Sequence, residues 1–168
     1  MKKLTTCLWF DNNGEEAARF YTSIFKNSEI TGITYYGHAG SEASGKPEGT
    51  VMTVTFQLDG QEFIALNGGP VFKFSEAVSF IVNCQTQEEI DYYWEKLSDG
   101  GDEKARQCGW LKDKFGLSWQ IVPSVLGEML QDKDAEKSER VMSALMKMKK
   151  LDIKTLQQTY DNFERIQS

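Results

Sequence analysis

The sequence predicts an α+β chain in which the order strand, helix, strand, strand, strand occurs twice and a helical tail follows. Three observations carry this. Segments rich in Thr, Val, Ile and aromatics surround two amphipathic helical stretches. The second set overlays the first at a shift of 73, which puts Glu15 on Glu88, Glu16 on Glu89, Phe20 on Tyr93, Tyr21 on Trp94 and Ile24 on Leu97. After Pro123 the strand pattern gives way to helical spacing. The expected organisation is a first module at 1–69, a second at 70–123 and a helical tail at 124–168, together one structural domain.

Each element has a local reason. Leu4 to Phe10 (LTTCLWF) reads as a strand, broken by Asp11, Asn12, Asn13 and Gly14. Glu15 to Phe25 reads as a helix, because Ala17, Phe20, Tyr21 and Ile24 recur at helical spacing and the acidic first turn suits the dipole. Glu29 to Tyr36 is the second strand. Gly37 to Gly49 (GHAGSEASGKPEG) reads as a loop. Thr50 to Leu58 alternates as a strand, Asp59-Gly60 is a hairpin turn, and Glu62 to Leu66 returns.

Ala77 to Asn83 restarts the order. Thr86 to Leu97 is a helix, with Thr86 and Glu89 spaced as a capping box and Asp99-Gly100-Gly101 as its end. Two short strand segments are expected at Lys104 to Cys108 and Gly109 to Lys112, and Leu117 to Val122 is the last strand. In the tail, Ala135 to Lys149 carries Val141, Met142, Leu145 and Met148 on one stripe. A second tail helix starts at Asp152 and presents Ile153, Leu156, Tyr160 and Phe163.

Composition narrows the function. The 168 residues carry a net charge of −6, from 19 Lys and Arg against 25 Asp and Glu. That balance argues against a nucleic-acid partner, which calls for a basic stripe. No apolar run approaches the ~20 residues that span a bilayer, so no membrane partner is expected. The start, MKKLTT, lacks an apolar h-region, and the three cysteines (Cys7, Cys84, Cys108) read as reduced thiols, so a cytoplasmic location is expected. A single histidine, His38, cannot build a multi-histidine metal site.

The segments CLWFDNNGEEAARFY, VMTVTFQLDGQEFIALNGGP, FKFSEAVSFIV, YYWEKLSDGG and CGWLKDKFGLSWQIVP resemble the PhnB-like, or 3-demethylubiquinone methyltransferase-like, family. That family belongs to the glyoxalase, bleomycin-resistance and dioxygenase (vicinal oxygen chelate) superfamily. The resemblance covers about residues 3–165. It implies two βαβββ modules joined in a curved, barrel-like mixed sheet, commonly in a homodimer. It also implies a divalent ion, in the metalloenzyme members, held by His and Glu on the first, fourth, fifth and eighth strands. Those positions fall on Leu4 or its same-face neighbours Thr6 and Leu8, on Ile64 or Ala65, on Ala77, and on Gln120. None is acidic or a histidine, so no metal and no cofactor is expected. Neither FDNNGEE nor LNGGPVF matches the G-x-G-x-x-G turn of Rossmann-type methyltransferases.

Candidate ligand-binding residues follow from strand alternation. Thr6, Leu8, Ser79, Ile81, Ser118 and Gln120 are expected on the concave face, where they form either a binding cleft or a filled interior. Asn67, in LNGGP, either meets a ligand or belongs to a tight linker, and the linker is favoured. Trp110 is the candidate aromatic wall, whereas Trp119 is expected in the core. His38 is either an acid or base on a flap at 37–49 or a solvated loop residue. Cys84, just before the second helix, is either reactive or a buried inert thiol. The expectation is a cytoplasmic, homodimeric binder of an unidentified small molecule. The alternative is an enzyme of the superfamily with an unrecognised catalytic constellation.

Overall fold

A computed structural model describes residues 3–161. The chain divides into two compact units, Met1–Phe74 and Ser75–Ser168. The sequence placed the division after Gly69. Residues 70–74 group with the first unit, where Phe72 meets Trp9 and Phe74 meets Phe10 edge-on, at centroid distances of 4.9 and 5.2 Å.

The first unit is a complete βαβββ module: β1 (Thr6–Phe10), α1 (Gly14–Ile24), β2 (Glu29–Tyr35), β3 (Val51–Leu58) and β4 (Gln61–Asn67). The sheet order is β1-β4-β3-β2, with β1 parallel to β4 and the other pairs antiparallel. Asp59 and Gly60 both have positive φ, as a two-residue hairpin turn needs. Helix α1 buries Ala17, Ala18, Tyr21 and Ile24. Tyr21 lies over Phe56, which stacks on Phe63 at 5.5 Å. Tyr21 and Phe56 are fully buried, a contribution of about 1.5–3 kcal/mol each.

The segment between β2 and β3 departs from its expected loop. His38–Ser44 forms a short helix, α2, closed by Gly45 at φ 73°. Ser41 N–H bonds to Gly37 O, and Ser41 Oγ donates to Lys46 O. Ala, Ser and Glu tolerate helix, and Gly45 supplies the left-handed stop that only the folded turn reveals.

The second unit contains β5 (Ser79–Cys84), α3 (Gln87–Ser98), β6 (Trp110–Lys112) and β7 (Ser118–Pro123) in the order β5-β7-β6. The strands thus pair into two separate sheets, of four and three strands. One expected strand is missing. The Lys104–Cys108 stretch holds a 3₁₀ turn (Glu103–Ala105) capped by Asp102, whose carboxylate accepts from Lys104 N–H at 2.9 Å. Cys108 and Gly109, at φ 53° and 82°, then form a tight turn between Gln107 and Trp110. Cys108 therefore sits at a turn centre, not a strand end. The capping box on α3 forms: Thr86 Oγ1 accepts from Glu89 N–H, and Glu89 reaches back to Gln85 N–H at 2.7 Å.

The tail adds α4 (Leu126–Leu130), α5 (Ala135–Leu145) and α6 (Ile153–Tyr160). Helix α4 was not expected, and α5 ends before Met146. Leu126, Met129, Val141, Leu145, Leu151 and Leu156 form one buried cluster against which Cys108, Val122 and Met148 pack. Met142 leaves the expected stripe and is exposed, as is Met146. Asp152 caps α6, accepting from Thr155 N–H at 2.7 Å. Phe163 lies outside the described residues.

Candidate functional site

Each sheet has a face covered by its own helix and an opposite face, and pairing register decides which residues lie where. In the first unit, Leu8 pairs with Ala65, Phe10 with Asn67, and Ala65 with Val54. These residues are buried, and they share the face that carries Phe56 and Phe63 under Tyr21 of α1. Thr6, paired with Phe63, lies on that face too. The expected placement of Thr6 and Leu8 on the open concave face is therefore corrected. The opposite face carries Cys7 and Trp9 from β1 with Ile64 and Leu66 from β4.

The error has a one-residue cause. Three residues separate β1 from α1 (Asp11, Asn12, Asn13), but only Gln85 and Thr86 separate β5 from α3. The helices overlay at a shift of 73, whereas the buried strand positions overlay at 74, Leu8 on Val82 and Phe10 on Cys84. A one-residue slip turns every side chain of a strand over.

In the second unit the register leaves the candidates on the face opposite α3. Val82 and Cys84 are buried on the α3 side, while Ser79 and Ile81 lie opposite, with Ile81 55% exposed. Ser118 pairs with Ser79, and Gln120 with Ile81. Trp110 pairs with Gln120, and Lys112 with Ser118. Ser79, Ile81, Trp110, Ser118 and Gln120 are thus neighbours on one face. Gln120 Nε2 donates to Ser79 Oγ at 2.9 Å. Trp119 is buried, with Nε1–H bonded to the Asp113 carboxylate at 2.8 Å, as the core assignment required.

The remaining candidates are placed by their partners. Asn67 is 6% exposed, and its Oδ1 accepts from Gly14 N–H at 2.8 Å, so it caps α1. Its Nδ2 donates to Val51 O, and its carbonyl accepts from Tyr36 O–H at 2.6 Å. These bonds are internal, which favours a structural role. His38 is the first residue of α2; its side chain is 78% exposed, with Glu42 and Glu48 carboxylates at 3.5 and 3.8 Å. Cys84 is buried, and burial, with Glu89 adding to it, pushes its thiol up to about 11. A nucleophilic cysteine requires the opposite shift.

Sequence reasoning did not single out Trp9, whose ring packs on the backbone of the LNGGP segment. Trp9 Nε1 donates to Gly69 O at 2.8 Å, and a Cβ at Gly68 would lie 2.2 Å from the indole. The LNGGP glycines held the signal, since close backbone approach of a large ring demands glycine.

The superfamily's metal does not fit the positions assigned to it. Leu4, Leu8, Ile64, Ala65 and Ala77 bring no donor atom, and Thr6 lies on the α1 face. Gln120 brings a neutral amide already engaged with Ser79. A divalent ion takes about four to six N, O or S ligands. Among the described residues, no group of three or more His, Cys, Asp or Glu side chains is placed to hold an ion.

Residues 2–122 match the family model described as 3-demethylubiquinone-9 3-methyltransferase. The chain belongs to this PhnB-like family. A PhnB protein from Bacillus cereus that carries the same description is 40% identical over 73% of this chain and 99% of its own, with a TM-score of 0.61. FosX from Listeria monocytogenes, a fosfomycin resistance protein, is 16% identical over 78% of this chain and 98% of its own, at TM-score 0.52. FosX from Mesorhizobium loti is 13% identical over 79% and 100%, also at 0.52. The two FosX likenesses establish the fold alone, that of the vicinal oxygen chelate proteins. No curated protein matches the chain. The PhnB-like match ends near Pro123, so α4, α5 and α6 lie beyond it. Among the described residues no helix is long and apolar enough to cross a membrane.

Proposed function

We propose that this PhnB-like protein binds a small molecule on a sheet face turned away from its helix, without the superfamily's divalent ion, and works as a cytoplasmic homodimer. One observation carries the reading. On the β5-β7-β6 sheet a more than half-exposed Ile81 stands beside Gln120, Ser79 and Trp110. An apolar surface with a few convergent polar groups is the make-up of small-molecule sites. The methyltransferase description finds no support in the first strand–helix turn. Its foremost helical N–H, on Gly14, is taken by Asn67 rather than offered to a cofactor. Turnover through His38 or Cys84 has no geometric support either, given an exposed imidazole between two glutamates and a thiol raised to about 11.

Native mass spectrometry of freshly purified protein tests this. The expected result is a dimer with a carried-over organic ligand and no stoichiometric divalent ion. A tightly bound ion at one per chain, lost in Gln120→Ala, would falsify the metal-free reading.

A further inference from the structure

The same face of the second sheet contains a hydroxyl with nothing to bond. Ser118 is 1% exposed, and its Oγ is buried without a hydrogen-bond partner. Buried hydroxyls are normally paired, because desolvation without a replacement bond is unfavourable. Alternation puts this Oγ on the side of Gln120, away from the Trp119 side. Its cross-strand neighbours there are Ser79 and Lys112.

The polar groups around it are half-used. Gln120 gives an amide proton to Ser79 Oγ, which leaves Gln120 Oε1 to accept and the Ser79 proton to donate. Lys112 is paired with Glu76, so the nearest charges cancel. One row along the strands, Ile81 and Trp110 flank Gln120 with apolar surface.

Resting on the small-molecule reading above, the geometry points to the class of ligand: an uncharged molecule with a flat apolar body and a hydroxyl group. The body lies on Ile81 and Trp110. The hydroxyl donates to Gln120 Oε1 and accepts the Ser118 proton, completing the unpaired group. Lys112, a flexible side chain tied only at its tip to Glu76, moves aside to admit it. An anion is disfavoured, because Lys112, the cation beside Ser118, is already paired with Glu76 and Gln120 Oε1 repels it.

The test uses the full chain and four probes of one shape: p-cresol, 4-methylanisole, p-xylene and p-toluate. Amide and side-chain NMR shifts report both affinity and the face occupied. The expected order is p-cresol tightest, 4-methylanisole and p-xylene weaker by about tenfold, a difference of ~1.4 kcal/mol, and p-toluate weakest. Ser118→Ala should lower p-cresol affinity about tenfold and narrow its preference over p-xylene, whereas the preference over 4-methylanisole, which cannot donate to Gln120 Oε1, should be levelled only by Gln120→Leu. Ser118→Ala should leave stability equal or higher, since it deletes an unpaired hydroxyl; a merely structural serine would show the reverse. Gln120→Leu is the second variant and should act the same way on affinity. Equal binding of p-cresol and p-xylene overturns the inference, as does unchanged affinity in both variants or no saturable p-cresol binding. If p-cresol shifts only Cys7, Trp9 and Ile64, this inference fails while the small-molecule reading stands. If no probe binds and no carried-over ligand is found, both fail.

Discussion

Asn67 holds the start of helix α1: its side-chain oxygen accepts the Gly14 N–H at 2.8 Å, while its amide nitrogen donates to Val51 O at 3.1 Å. One buried side chain thus ties the end of β4 to the first helical turn and to β3. Asn67→Ala leaves a buried N–H and a part-buried carbonyl less satisfied. The expected cost is about 1–3 kcal/mol, read by urea unfolding, with Asn67→Asp recovering the cap only in part. Stability unchanged within ~0.5 kcal/mol would refute the structural role and return Asn67 to the ligand candidates.

Trp9 is pinned between Gly69 O and Phe72, so its ring has little room to yield. A methyl at Gly68 would lie 2.2–2.5 Å from three indole carbons. Gly68→Ala should therefore displace the ring, at a cost of about 1–3 kcal/mol, and change the tryptophan fluorescence. An unaltered spectrum in Gly68→Ala would show that Trp9 does not rest on this backbone.

The tail lies beyond the PhnB-like match, yet it is built into the second unit. Cys108 N–H and Gly109 N–H donate to Met148 O and Lys149 O at 2.8 and 2.7 Å. Gln87 bonds both Leu151 O and Ile153 N–H, and Lys150 pairs with Asp91 at 2.6 Å. Truncation after Ser124 should strip hydrogen-exchange protection from Cys108, Gly109 and Ile121, while the first unit keeps its own. Full protection in the truncated chain would make the tail an accessory.

Cys84 gives a pH signature. Its folded pKa is raised to about 11 by burial and Glu89. The folded state therefore favours the neutral thiol. That stability is fully present below the unfolded thiol's ~8.5 and is lost as pH rises towards about 11. Unfolding free energy should fall over this alkaline window, and less steeply in Cys84→Ala. At pH 8 a thiol reagent should label exposed Cys7 well before Cys84. Fast labelling of Cys84 in the folded protein would contradict the burial.

Much of the candidate face on the second sheet was legible in the residues. Ser79, Ile81, Ser118 and Gln120 were expected on one face and are paired on one face, where Trp110, expected as an aromatic wall, lies beside Gln120. Thr6 and Leu8 were not legible by the same route, because the repeat was aligned on its helices. His38 was read into a loop because Gly37, Gly40 and Gly45 mask a short helix whose closing turn depends on backbone φ.

The amino-acid order by itself determined the elements whose causes are local. The α1 and α3 periodicities, the Thr86–Glu89 box, the Asp59-Gly60 turn and the Asp152 cap each rest on residues within a few positions. Tertiary structure alone decided which face of β1 α1 covers, that Lys104–Cys108 gives up strand for a 3₁₀ turn, and that Ser118 is buried without a partner. These depend on connection length and on neighbours distant in sequence. A difference of one residue before a helix costs nothing locally, but it reverses a whole strand.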